Sequence, residues 1–320
     1  MIVGLNSQSS SVHSLTSIED FIRWGASRFA EAGLFFGHGT ENALDEAAAL
    51  VLHALHLPPD LPASWFNSRV TSVERERILD LIQRRIALRI PLPYLTGEAW
   101  FAGMRFHVNE AVLIPRSPIA ELIENRFTPW IDPTRVARIL DLCCGSGCIG
   151  IAAAAYLPES RVDLVDISAD ALQVARNNAK THRLQERVEI RQSDLFEALP
   201  AEKYDLILSN PPYVGAREMA ALPAEYRHEP DLALRANDDG LEVVKRLLRQ
   251  VPDFLAPRGL LIVEVGNSAE SLLEHYPDIP FVWPEFEQGG EGVFLLSAED
   301  LAEYAHRFNH RTVRESVDKQ

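Results

Sequence analysis

Asn210-Pro211-Pro212-Tyr213 is the stretch of this chain whose residue types most closely define a chemistry. Neither proline has a backbone N–H, so their carbonyls point outward as acceptors without a local competitor. The Asn210 side chain adds an acceptor, and Tyr213 adds a flat face. Asn-Pro is ordinary turn chemistry. These residues, however, directly follow the apolar run Tyr204–Ser209, and open α/β sheets bind ligands at the carboxyl ends of their strands. There they describe a ledge for a planar NH₂ group conjugated to a carbonyl or a ring. One hydrogen would be held by the Asn210 oxygen and the other by the Pro211 carbonyl. The lone pair of such a nitrogen is delocalised, so it is a poor nucleophile. Its reaction needs in-line placement, worth about 7–11 kcal/mol of barrier, and stabilisation of the positive charge that develops on nitrogen.

A second constellation is Asp141-Leu-Cys143-Cys144-Gly145-Ser146-Gly147-Cys-Ile-Gly150, which contains G-x-G-x-x-G. Asp166 lies nineteen residues beyond Gly147, where an acid grips ribose hydroxyls. The glycines let backbone approach a nucleoside-containing ligand. The pattern alone fits NAD and S-adenosylmethionine equally, with a structural tight turn as the plain alternative. Asp141 tilts the balance. A carboxylate facing a pyrophosphate is unfavourable, whereas it suits the ammonium of a methionine moiety; a solvated strand-end Asp is the ordinary alternative. Asp194, in Ser193-Asp-Leu195-Phe196, is placed to meet an adenine amino group, with Leu195 packing on the ring; a simple loop Asp is the other reading. A methyl group passing from sulfonium to nitrogen fits both constellations.

The elements that must position these residues are of two kinds. From Ile18 to about Ile90 the periodicity is helical. Leu44, Ala48, Val51, Leu52 and Leu55 share one face, and Thr71-Ser-Val-Glu74 reads as a capping box before Ile78, Ile82 and Ile86. Pro91 and Pro93 end this region, and Trp100-Phe101, Gly103 and Phe106-His-Val108 read as a hairpin. From Val136 strands and helices alternate: strands at 138–143, 161–166, 188–192, 204–209 and 260–265, and helices at 148–157, 169–180 and 241–254. Such βαβ alternation implies a largely parallel sheet covered on both faces. We expect a helical domain at 16–92, a hairpin connector at 93–116 and an α/β domain at 117–309, with flexible tails at 1–15 and 310–320.

Composition narrows the function classes. The 320 residues carry 31 Lys and Arg against 46 Asp and Glu, a net charge of −15. Duplex nucleic-acid binders draw most of their affinity from basic residues on phosphates, so direct DNA binding is not expected. An acidic surface suits a basic protein partner. Eight Arg oppose ten acids before residue 96, so most of the excess lies in the later region. The three cysteines, at 143, 144 and 148, lie too close together to staple a fold, which fits a reducing cytoplasm. A structural zinc would want four ligands, so no metal is expected. The longest apolar run, Cys148–Leu157, is ten residues and too short to span a bilayer.

The sequence resembles the protein N5-glutamine methyltransferases. Pro93-Tyr-Leu-Thr-Gly97, Val112-Leu-Ile-Pro-Arg116, Asp141-Leu-Cys-Cys-Gly-Ser-Gly147 and Asn210-Pro-Pro-Tyr213 come in that family's order, over residues of about 20 to 300. Asn-Pro-Pro-Tyr alone is shared with DNA adenine and some rRNA methyltransferases, whereas the Val-Leu-Ile-Pro-Arg block is more specific. One branch modifies the Gly-Gly-Gln loop of peptide chain release factors and typically follows Pro-Arg with Pro-Glu/Asp-Thr-Glu. Here Ser117-Pro-Ile-Ala-Glu121 follows instead, and Glu98-Ala-Trp-Phe101 and Gly289-Gly-Glu-Gly-Val-Phe294 look like the branch that modifies the third protein of the large ribosomal subunit. The resemblance implies a class I S-adenosylmethionine-dependent methyltransferase fold, Rossmann-like, with a mainly parallel seven-stranded sheet. It implies cofactor contacts from Cys143, Cys144, Gly145, Ser146 and Gly147, and from Asp166, Leu195 and Asn210. It places the substrate glutamine against Asn210–Tyr213. Cys143-Cys144 stand where the family often has Gly-Thr, which is tolerable where the loop binds through its backbone.

Other residues are open. Arg116 and Glu121 either line the mouth of the site or form an exposed ion pair. Arg84, Arg85 and Arg89 read more readily as a solvated face than as a contact for an acidic or RNA surface. His228-Glu-Pro230 and Gly289–Gly292 are loops without an assignment from first principles. Release-factor modification, nucleic-acid amino-methylation and a non-catalytic cofactor-binding assembly factor stand as the alternatives to the ribosomal-protein reading.

Overall fold

The structure is a computed structural model that describes residues 14–237 and 239–308. The expected tails at 1–15 and 310–320 fall almost entirely outside these residues. The chain divides into two compact units. The first comprises residues up to Ala99 together with Val108–Glu110 and Pro223–His228; the second takes Trp100–His107, Ala111–Leu222 and everything from Glu229 onward.

The first unit is built on helices α1 (Ile18–Glu31), α2 (Ala43–Ala54), α3 (Ser72–Leu88) and the short α4 (Leu92–Thr96). Their starts are written locally. Ser17 with Asp20, and Thr71 with Glu74, close reciprocal capping boxes, and the Asn42 side chain accepts from the N–H groups of Leu44 and Asp45. Phe21, Phe29, Leu50, Val51, Ile78 and Ile82 form the core, each such side chain contributing about 1.5–3 kcal/mol by leaving water.

Three expectations are corrected here. Leu44 is exposed, because it lies in the first turn of α2, whose buried stripe runs through Ala47, Leu50, Val51 and Ala54. Pro91 and Pro93 open α4 rather than ending the helical run, since a proline in a first turn costs no hydrogen bond. Arg85 is not on a solvated face: it is 1% exposed and pairs with Glu46 at 2.5 Å and Glu225 at 3.3 Å. Arg89 also reaches Glu225, at 3.1 Å, while Arg84 is exposed beside Asp80.

The chain next forms a hairpin, β1 (Glu98–Phe101) and β2 (Met104–His107), turned by Ala102 and Gly103 at positive φ. The short α5 (Ile119–Glu124) precedes the main sheet. There β3 (Arg138–Leu142), α6 (Cys148–Tyr156), β4 (Arg161–Asp166), α7 (Ala169–Thr181), β5 (Val188–Gln192) and β6 (Tyr204–Ser209) follow one another. After the short α8 (Ala216–Ala221) and α9 (Asp231–Leu234) come α10 (Glu242–Gln250), β7 (Leu255–Glu264), α11 (Ala269–His275) and β8 (Val293–Ser297). The strand order is β5-β4-β3-β6-β7-β8, parallel except for β8. Central strands buried on both faces are continuous apolar runs, as Leu206-Ile-Leu208 and Leu261-Ile-Val263 are. This is the expected α/β class, a mainly parallel sheet preceded by a helical region.

Six strands are hydrogen-bonded in this sheet, where seven were expected. The seventh place is held by a single antiparallel bridge between Val282 and Leu295. Pro280 and Pro284 flank Val282 and remove the donors a longer ladder needs. The helix expected at 241–254 stops at Gln250, because Pro252 lies in the following turn, and β7 begins earlier than expected, at Leu255.

Candidate active site

The strand order reverses at β3, which has β4 on one side and β6 on the other. Such a switch point leaves a crevice at the strands' carboxyl ends. It holds a cavity of about 230 Å³. Cys143, Cys144 and Gly145 line it after β3, Asp166 after β4, Asp194 and Leu195 after β5, Asn210 and Pro212 after β6, and Arg116 from the segment before the sheet. Five of the expected site residues do not line it: Asp141, Ser146, Gly147, Pro211 and Tyr213.

The glycine loop splits its labour. Gly147, at φ 76°, packs the loop on the sheet, for a Cβ there would fall 2.9 Å from Leu164 Cδ1. Gly145, at φ 54°, has nothing within 4 Å of its missing Cβ and so leaves the backbone open to a ligand. Its N–H donates to Asp166 Oδ2 at 2.9 Å, and Ser168 N–H donates to Oδ1 at 2.9 Å. Burial raises the Asp166 pKa, with the Ser168 and Gly145 N–H groups opposing the rise. Cys143 also has a left-handed backbone, at φ 59°. Burial pushes the Cys148 thiol up to about 12 and raises those of Cys143 and Cys144 as well. All three are therefore neutral thiols that contribute packing and backbone.

Asp141 is fully buried under the first turn of α6. Its Oδ2 accepts the Gly150 N–H at 2.8 Å, while Oδ1 has no hydrogen-bond partner among the described residues. Burial pushes its pKa up to about 8. An orphaned buried acceptor calls for a donor. The cationic side chains that line the cavity, Arg116 and Arg246, are both engaged by carboxylates: Arg116 by Glu229, and Arg246 by Asp194 at 2.8 Å. Asp166 and backbone N–H groups at the cavity, with both lining cations already paired, suit a ribose and do not suit a pyrophosphate, while the Asp141 carboxylate lies beneath the lining, under the first turn of α6. Asp194, read from sequence as an adenine contact, thus enters the cavity as an ion-paired group. Leu195 beside it is buried, with its backbone at φ 50°.

Asn210 follows Ser209, whose hydroxyl donates to the Leu142 carbonyl at 2.9 Å and ties β6 to β3 at the switch point. Pro211 is buried and Pro212 faces the cavity. Tyr213 departs from its expected role as a flat face. Its hydroxyl donates to Glu264 Oε1 at 2.8 Å, its carbonyl accepts from Ser268 Oγ at 2.9 Å, and a Cβ on Gly266 would fall 2.5 Å from its ring. These contacts hold Tyr213 at the end of β7, and it does not line the cavity.

Sequence reasoning missed Glu229, Arg246 and Glu264. Glu229 grips Arg116 and also accepts the Ile114 N–H at 3.0 Å, so it organises the whole Val112–Arg116 block. Nothing in its local sequence marks it out except its place in the unassigned His228-Glu-Pro stretch. Glu121 is neither at the mouth nor ion-paired. It accepts the N–H groups of Glu287 and Gln288 at 3.1 and 3.2 Å and so anchors the loop leading into Gly289–Gly292.

Two families match the sequence. The methyltransferase small domain matches residues 127–224, and the PrmC N-terminal domain matches residues 20–97. The ribosomal protein uL3 glutamine methyltransferase of Francisella tularensis subsp. tularensis (strain SCHU S4 / Schu 4) is 48% identical over 298 residues, covering 93% of this chain and 95% of that one. Its counterpart from Bordetella pertussis (strain Tohama I) is 48% identical over 295 residues, covering 92% and 99%. Among solved structures, the hMettl16 catalytic domain in complex with the MAT2A 3'UTR hairpin 6 matches with a TM-score of 0.48 at 18% identity, over 70% of this chain and 80% of that one.

Proposed function

The chain belongs to the family of ribosomal protein uL3 glutamine methyltransferases, and from that premise we propose that it methylates the side-chain amide nitrogen (N5) of a glutamine in uL3, the third protein of the large ribosomal subunit. The observation that carries the reading is that Asn210 and Pro212 of the ledge and the Asp166-bonded Gly145 of the glycine loop line one cavity.

S-adenosylmethionine supplies an electrophilic methyl group on its sulfonium sulfur. Asp166 would hold the ribose hydroxyls, Gly145 would let backbone lie against the ligand, and Asp141 Oδ1, buried beneath the loop without a partner among the described residues, would be the acceptor that favours an ammonium there. Ser146 and Gly147 shape that loop from behind, with Cys143 and Cys144 lining it. Asp194 and Leu195 bound the adenine side. Asn210 Oδ1 and the Pro211 carbonyl would accept the two hydrogens of the glutamine NH₂ and so orient its nitrogen for the methyl group. Transfer would form the N–C bond as the sulfonium S–CH₃ bond breaks and the thioether, S-adenosylhomocysteine, leaves, and both acceptors would tighten as positive charge grows on nitrogen. One N–H proton then leaves to solvent, and the product is a neutral secondary amide. Pro212 and Tyr213 stiffen the ledge, and Arg116, held by Glu229, closes the substrate side.

A net charge of −15 suits a strongly basic ribosomal protein as partner. Residues 16–92 supply grip on that protein, 93–116 form the connector and 117–309 the transferase. The site of action is the cytoplasm. No described helix is long and apolar enough to cross a membrane.

The test is to incubate the purified protein with methyl-labelled S-adenosylmethionine and, separately, uL3, a release factor, rRNA and DNA. Label on a uL3 glutamine is the expected result. Label on the release factor or a nucleic acid alone overturns the substrate assignment, and no label on any of them overturns the transferase reading.

A further inference from the structure

One buried ionisable group has no part in the transfer just described. Glu264 is the last residue of β7 and is 5% exposed. The parallel register sets Ser209, the last residue of β6, opposite Val263, so Asn210 just past β6 follows at the level of Glu264, the last residue of β7. Glu264 Oε1 receives the Tyr213 hydroxyl at 2.8 Å, and Oε2 is buried and makes no hydrogen bond of ordinary geometry. Both ends of the ledge therefore border one carboxylate.

We propose that Glu264 is the positioning residue of this active site: its carboxylate turns the Asn210 carboxamide so that the oxygen, and not the NH₂, is presented to the substrate. An ionised carboxylate can only accept. An asparagine beside it offers hydrogens at one end and lone pairs at the other, and the NH₂ end is drawn to the carboxylate. The Asn210 oxygen is then left to meet a substrate that brings two N–H groups. Without that bias the amide could flip, and two NH₂ groups would face each other. The Tyr213 hydroxyl locks the carboxylate from the other end of the ledge.

The surroundings of Glu264 are mixed. Burial raises its pKa, while the Ser117, Tyr213 and Asn210 side chains and the Arg116 charge favour the ionised form. Tyr213 itself also feels Glu218, and Arg116 is held by Glu229. The ionised form is the working one. Activity through this group therefore falls as pH drops through its raised pKa.

The inference rests on the glutamine-transfer reading, so the wild-type protein with uL3 is the control for that reading; if the wild type labels no uL3, that reading has failed and not this one alone. Given a working wild type, E264Q is measured at saturating S-adenosylmethionine, which keeps Asp141 and Asp166 out of the profile. The expected result is a ten- to hundredfold fall in kcat, a KM for uL3 within about threefold of wild type, unchanged cofactor affinity by calorimetry, and loss of the acidic limb of the kcat profile. A wild-type kcat, or a lower melting temperature with kcat intact, overturns the proposal. Should E264Q fail to fold, Tyr213→Phe decides. It removes a donor to the ionised carboxylate, so the acidic limb must move to higher pH; a limb that stays in place overturns the proposal.

Discussion

Glu229 grips Arg116 at two points, Nη1 to Oε1 at 2.6 Å and Nη2 to Oε2 at 2.8 Å. Glu229 is 4% exposed and also accepts the Ile114 N–H, so one carboxylate from the chain beyond Tyr213 fixes a backbone segment more than a hundred residues earlier. A paired fork of this kind is among the stronger protein hydrogen-bond arrangements.

Glu229→Gln keeps the shape and removes the charge. Taking one partner from a buried pair costs about 3–5 kcal/mol, and the partial exposure of Arg116 lowers this to about 2 kcal/mol. The expected result in urea titration is a lower midpoint at unchanged slope, together with a raised KM for uL3. An unchanged midpoint counts against the clamp.

On the proposed mechanism, Asn210→Ala removes a transition-state acceptor and little packing. Losing a single preorganised oxyanion-hole group costs about a hundred- to a thousandfold in kcat, and a similar fall is expected here. Circular dichroism and cofactor calorimetry should match wild type. A protein that merely binds the cofactor would have no turnover to lose.

Cys143→Gly tests the strain at the end of β3. A left-handed backbone costs a non-glycine residue about 1–2 kcal/mol, and glycine loses about 0.5–1 kcal/mol of that gain through its freer unfolded chain. A net stabilisation of up to about 1 kcal/mol is expected by chemical denaturation, and a loop that binds through backbone, as proposed, would keep cofactor affinity close to wild type. A clear destabilisation would mean that the thiol packs better than its backbone angle costs.

Asp141 predicts a pH dependence. Its folded pKa is raised to about 8 from an ordinary carboxyl value. The native state therefore holds a proton that the unfolded chain releases, and stability of the cofactor-free protein falls as pH rises from about 4 to about 8. An ammonium placed on Oδ1 favours the ionised form and expels that proton. Binding of S-adenosylmethionine near neutral pH should release protons, read by calorimetry in buffers of different ionisation enthalpy, and Asp141→Asn should abolish the release. Equal enthalpies in all buffers for the wild type would argue against the ammonium contact.

The parts of this molecule that could be read from sequence are those with short-range rules. The capping boxes at Ser17 and Thr71 and the apolar strands at 138–142 and 204–209 are set by neighbours a few residues apart. The cavity residues at the ends of β3 to β6 follow from one rule about strand ends, whereas Arg116 and Arg246 do not. What could not be read is held by partners far along the chain: Arg116 with Glu229 at a separation of 113 residues, and Arg85 with Glu225 at 140. No spacing announces such pairs. One signal was present for Arg85, which falls on the same face of α3 as Ile78, Leu81 and Ile82 and is buried with them. Tyr213 was misread for a related reason. Its type suggested stacking, but the end of the neighbouring strand supplied a carboxylate, and the turn after it a glycine, that hold its hydroxyl and ring.

Pro280 and Pro284 limit the outermost segment beside β8 to one bridge, and the opposite border strand, β5, carries Glu189 and Arg191 in an ion pair. An open strand border is a template on which a second chain can add itself. Here one border lacks the donors such an addition requires, and the other would force charged side chains against the newcomer. Both open borders of the sheet that carries the cavity therefore resist the addition of a further strand, without any closing of the sheet into a barrel.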